Sequence, residues 1–168
     1  MARTADSWFS YVIILLTFFI AFLFSILSLP DFLPLVLGYL RPDWVLLVIM
    51  YWVLALPNRI GMFWALAVGL LADVMTGIPL GVHAMSFTLV AYLLLLQYQK
   101  IRMYSLSQQM VVIFLLTFMS KLLNYWLISM TAGIDFSLLY FMPAVASGLI
   151  WPLAYLLLRR IRRSAGIS

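Results

Sequence analysis

The chain has no cysteine, no glutamate and one histidine, and its 168 residues carry ten Lys and Arg and five Asp. Without cysteine there is no disulfide, thiolate metal centre, iron–sulfur cluster or thiol nucleophile. With His83 alone and no glutamate, a paired-histidine zinc site of the H-E-x-x-H kind is excluded, and so is a glutamate proton relay. Charged residues make up 9% and apolar ones 67%, with a mean hydropathy of +1.15. Soluble domains carry about 25% charged residues, so this chain has too few to cover a water-soluble globule. Six membrane helices need about 120 residues, which leaves about 48 for every loop and tail. A separate soluble catalytic or ligand-binding domain has no room.

What is present is long apolar sequence interrupted by sparse charge. The gaps between ionisable residues predict six spans, at about 8–29, 42–56, 60–76, 83–99, 108–131 and 137–158. The fold class is therefore an all-α integral membrane protein, one polytopic domain over 1–168. The first span is too long for a signal-peptide core and lacks a small-residue cleavage site, so it reads as a retained helix. Spans 2 and 3 are short, about 22–26 Å against about 30 Å of hydrocarbon. They are expected to form a tight hairpin around Pro57-Asn58-Arg59 inside the bundle. Pro143 and Pro152 predict kinks in span 6.

The placement of charge sets the topology. Arg3, Arg59, Lys100, Arg102, Arg159, Arg160, Arg162 and Arg163 fall on one face and Arg41 on the other, while Lys121 lies within span 5. Such a bias in short loops places both termini in the cytoplasm. Asp31, Asp43, Asp73 and Asp135 fall at or near the opposite face. The Arg-Arg-Ile-Arg-Arg run at 159–163 reads as a stop signal and anionic-lipid contact, not as a nucleic-acid site.

Three features carry most of the information. Gly61, Ala65, Gly69, Asp73 and Gly77 recur every four residues on one face of span 3. Small residues at that spacing admit a second helix closely, so these are helix-packing or partner-binding candidates. Asp73 sits in the last turn, where the helix dipole disfavours an anion, and must be protonated, hydrated or paired. Lys121 lies on a polar stripe with Thr117, Ser120 and Asn124, and Lys121 and Asn124 join Asp73 as intramembrane polar candidates. Asp73 and Lys121 each lie about 20 Å into their spans, which predicts an Asp73–Lys121 ion pair. In Arg41-Pro42-Asp43-Trp44, Pro42 suits the first helical position, Asp43 complements the dipole and Trp44 anchors at the interface. Arg41 and Asp43, with Arg59 in the 2–3 turn, are further partner-contact candidates. No nucleophile–base pair or phosphate-cradling glycine loop is recognisable, and no cofactor or metal is expected.

The run RPDWVLLVIMYWVLALPNRIGMFWALAVGLLADVMTGIPLG at 41–81 resembles the rod shape-determining MreD family. The matching residues are Arg41, Pro42, Asp43, Tyr51, Trp52, Pro57, Arg59, Gly61, Gly69, Asp73, Gly77, Leu80 and Gly81, with Trp151-Pro152 near the end. The resemblance implies a non-enzymatic component of the cell-elongation machinery in the bacterial inner membrane. It implies work with an MreC-like bitopic protein, an MreB-like filament and the RodA–PBP2 peptidoglycan synthase pair. It also implies a fold resembling the membrane substrate-binding subunit of energy-coupling-factor vitamin transporters.

Two functions follow as expectations. The first is a scaffold that docks a partner's transmembrane helix and juxtamembrane segment to regulate peptidoglycan synthesis. The alternative is a small-molecule-binding subunit of a vitamin-type transporter, with a pocket of Asp73, Lys121, Asn124 and Trp126 near the outer face.

Overall fold

A computed structural model describes residues 7–26, 41–132 and 137–167 of the chain. The described residues form six α-helices and one 3₁₀ turn: α1 (Ser7–Ile26), α2 (Trp44–Ala55), α3 (Met62–Thr76), α4 (Val82–Met103), α5 (Leu106–Ala132), the 3₁₀ turn Leu138–Phe141 and α6 (Met142–Ser164). One helix falls on each predicted span. Helices α4 and α6 run past the predicted ends, to Met103 and Ser164, carrying Lys100, Arg102 and the 159–163 arginines as helical residues. Arg3, Asp31 and Asp135, used in the charge count, lie outside the described residues.

Among the described residues three helical segments are long and apolar enough to cross a membrane: Trp8–Ile26, Leu106–Met130 and Leu138–Ser164. The distribution of side chains fits that environment. Phe63, Leu138 and Leu153 are 86%, 77% and 70% exposed, whereas Thr17, Asp73, Ser86, Gln109, Ser120, Asn124 and Ser147 are buried. An apolar exterior over a partly polar interior is costly in water and favourable in lipid.

Helix α2 is the centre. Every residue from Val45 to Leu54 is buried, as expected of a helix that is apolar on all sides. It packs against α1, α4 and α6. Trp52 Nε1 donates to Thr17 Oγ1 at 2.9 Å, fastening α1 to it. On the far side Trp151 Nε1 donates to Gln109 Oε1 at 3.1 Å, and the Gln109 amide donates to the carbonyls of Ile101 and Tyr104. One buried glutamine thus joins the end of α4, the start of α5 and the middle of α6.

The expected α2–α3 hairpin inside the bundle is corrected. Of these two helices α2 is enclosed by the described residues; α3 lies at the periphery and packs on α4, leaving Met62, Phe63, Leu66, Leu70, Leu71, Val74 and Met75 exposed. The cause is Gly69. A Cβ there would stand 2.5 Å from Ala84 Cα and 2.8 Å from the His83 carbonyl oxygen, so α4 occupies the space that the glycine leaves. Pro143 is likewise not a kink. It stands in the first turn of α6, where a missing N–H costs nothing, and Pro152 alone is interior.

Candidate functional site

A 12-residue helix buried in a bundle leaves backbone groups at both ends without intrahelical partners, and water is scarce there. Charged side chains fill the need. Asp43 is the N-cap of α2, and its Oδ1 accepts from the Leu46 amide at 3.2 Å. Its own amide donates to Ser147 Oγ on α6 at 2.9 Å. Helix α2 therefore begins at Trp44, and Pro42 precedes the cap rather than occupying the first helical position. The carboxylate governs the start because it bonds an orphan amide, which proline does not.

The other carboxylate oxygen, Asp43 Oδ2, stands 2.7 Å from Lys121 Nζ, with the two side chains 11% and 14% exposed. The expected Asp73–Lys121 pair is thus replaced by Asp43–Lys121. Asp73 is engaged elsewhere and fully buried. Its carboxylate accepts from the amides of Gly81 at 2.8 Å, His83 at 2.7 Å and Ala84 at 3.4 Å, and Oδ1 lies 3.0 Å from His83 Nδ1. The reversal at Gly77 and Gly81, both with positive φ, carries the chain back so that the end of α3 meets the start of α4. An anion that the dipole of α3 disfavours is stabilised by the dipole of α4.

These groups surround a cavity of about 510 Å³ at one end of the bundle. Arg41, Asp43, His83, Lys121, Tyr125 and Tyr140 line it, together with residues from the end of α1 and the start of α6. The Asp43–Lys121 pair and Arg41 share this lining with apolar side chains such as Phe24 and Leu139. No group of three potential metal ligands occurs among the described residues.

Of the candidates read from the sequence, Arg41, Asp43 and Lys121 meet at this cavity, and Asp73 reaches it through His83. Gly69, Ala65 and Asp73 are buried on α3, with Gly69 turned to α4 and Gly77 closing the helix. Gly61 and Arg59 stand at the other end of α3; a Cβ on Gly61 would touch Leu95 at 3.7 Å, and Arg59 is exposed. Asn124 is buried one turn from Lys121, and neither atom of its amide group has a hydrogen-bond partner among the described residues. The pocket expected from Asp73, Lys121, Asn124 and Trp126 does not assemble. Of the four only Lys121 lines the cavity; Asp73 and Asn124 are packed away, and Trp126 is 57% exposed.

The family model for "rod shape-determining protein MreD" matches residues 5–161. A curated protein of that name from Haemophilus influenzae is 35% identical over 158 residues, covering 93% of this chain and 92% of its own. The chain belongs to the MreD family. No solved structure matches. Family membership carries with it a role in rod shape determination and a membrane setting in keeping with the three apolar spans.

Residues missed in the sequence sharpen the picture of this MreD-family site. Ser147 and Tyr140 are not marked by the sequence, because neither stands in a motif or carries a charge. Arg102 was counted only for topology, yet it donates through Nε to the Leu54 carbonyl and through a terminal nitrogen to Ala55 O at 2.7 Å. The need for such a partner at the end of a short buried helix was the available signal.

Proposed function

We propose that this protein is a non-enzymatic scaffold of the cell-elongation machinery, a multi-pass inner-membrane protein whose termini both face the cytoplasm. Its whole length forms one polytopic domain, resembling the membrane subunit of energy-coupling-factor transporters in arrangement. It docks an MreC-like bitopic protein, and through it acts with an MreB-like filament and a RodA–PBP2-type synthase. The docking place is the cavity lined by Arg41, Asp43, Lys121 and Tyr140 rather than the small-residue face of α3. The observation that carries this choice is Gly69, whose open side is filled by the α4 backbone at His83 and Ala84. That face has no space left for a partner helix.

The cavity supports the reading in two further ways. It opens between helix ends, where a bitopic partner's chain leaves the bilayer. It also offers an acid–base pair, an arginine and tyrosines, which suit a juxtamembrane peptide carrying both polar and aromatic groups. Docking would act by population shift, holding the partner in the arrangement that activates the synthase through tighter affinity for that state.

The test is co-purification of the MreC-like protein with Arg41→Ala and Tyr140→Ala variants from rod-shaped cells. Loss of the partner with normal variant abundance, accompanied by rounding of the cells, supports the docking place. Full retention by both variants contradicts it.

A further inference from the structure

A second cavity, of about 460 Å³, lies at the opposite end of the bundle. Arg102, Arg159 and Arg162 line it with Tyr51, Tyr155 and Gln109. Three guanidinium groups share one concavity, and no carboxylate lines it among the described residues. The two described carboxylates, Asp43 and Asp73, are both committed at the other end. Like charges gathered without a counter-charge repel one another, and each is costly to desolvate.

Two polar atoms here are buried and unsatisfied. Tyr51 is 2% exposed, and its hydroxyl, beside the Arg162 guanidinium, has no well-formed hydrogen-bond partner among the described residues. Arg162 Nε is also buried without a partner. A hydroxyl donor and a guanidinium edge held in one basic pocket are complementary to a tetrahedral oxyanion, which takes several short charge-assisted hydrogen bonds at once. The surroundings are rigid. Tyr51 is held edge-on between Trp52 and Tyr155, Arg159 lies over the Tyr155 ring at 5.9 Å, and Gln109 is fixed by Trp151.

We propose that this pocket binds the phosphate group of an anionic phospholipid headgroup. Its position favours a lipid source: basic pockets between membrane helices stand where headgroups lie, and the arginines continue a helix whose apolar part is exposed to lipid. Arg159 and Arg162 provide the principal charge, Tyr51 donates its hydroxyl, and Arg102 closes the pocket while bridging to the end of α2. This site is independent of the docking cavity and does not rest on it.

The experiment titrates the full-length protein, in a non-ionic detergent, with short-chain phosphatidylglycerol, short-chain phosphatidylcholine or inorganic phosphate, read by native mass spectrometry and thermal melting. Phosphatidylglycerol is expected to bind and raise the Tm, and phosphatidylcholine to do neither. The double variant Arg159→Gln/Arg162→Gln loses binding at least about tenfold, while Arg160→Gln/Arg163→Gln, which removes equal but exposed charge, stays within about threefold. Phosphate binding as tightly as phosphatidylglycerol supports the anion site and assigns it to a soluble phosphate. Equal losses in the two double variants, or no binding by either anion, overturn the proposal. If the arginine variant does not fold, Tyr51→Phe decides: about tenfold weaker binding supports the site, and unchanged binding overturns it.

Discussion

At one end of α2 a carboxylate caps the helix and meets a lysine; at the other an arginine holds the last carbonyls beside two more arginines. Both ends meet the same need, since a short buried helix must have its terminal backbone groups bonded. They differ in what is left over. At the Asp43 end the charges are matched, and the cavity offers polar contacts of both signs. At the Arg102 end positive charge is in excess, with three arginines and no carboxylate among the described residues that line the cavity. The first suits a peptide and the second an anion.

The comparison can be broken most forcefully at Gly69. Gly69→Leu forces α3 from the α4 backbone and is expected to cost more than about 3 kcal/mol, so the variant should not accumulate as a monodisperse protein in detergent. A well-behaved Gly69→Leu protein would mean that the two helices are not in contact there. Next in size is Lys121→Met, which strands the Asp43 carboxylate in a largely buried position, at a cost of about 3 kcal/mol in detergent unfolding. Adding Asp43→Asn should recover part of that loss, because asparagine still caps α2. Adding Asp73→Asn should recover none; recovery there would reinstate the pair that equal depth suggests.

Asp73→Ala should come third, at about 2 kcal/mol, since it orphans the first amides of α4 without leaving a buried charge. Hydrogen exchange confined to the start of α4 would show it. The smallest effect is expected at the other end. Arg102→Lys keeps the charge but loses the planar fork on Leu54 and Ala55, for about 1 kcal/mol. A larger loss there than for Asp73→Ala would show that the arginine end, not the Asp43 end, secures the bundle.

Much of the architecture was legible in the residues. Gaps between charges placed six helices because a membrane excludes unpaired charge from lipid. The four-residue period of Gly61, Ala65, Gly69 and Asp73 marked one close-packed helix face. The partner of that face was not legible, because periodicity describes a surface and not its neighbour. Depth likewise could not choose between Asp43 and Asp73, as both stand toward one end of the bundle. The deciding signal was the short turn from Gly77 to Gly81. Positive φ at both glycines folds the next helix back onto Asp73, whose carboxylate is then used by backbone amides, leaving Lys121 to Asp43.

The most direct test of the docking cavity is site-specific photo-crosslinking in living rod-shaped cells. A benzophenone amino acid in place of Tyr140 should capture the MreC-like partner, and the same probe in place of Phe63, on the exposed side of α3, should not. Capture at Phe63 with none at Tyr140, both variants supporting rod shape, would contradict the account.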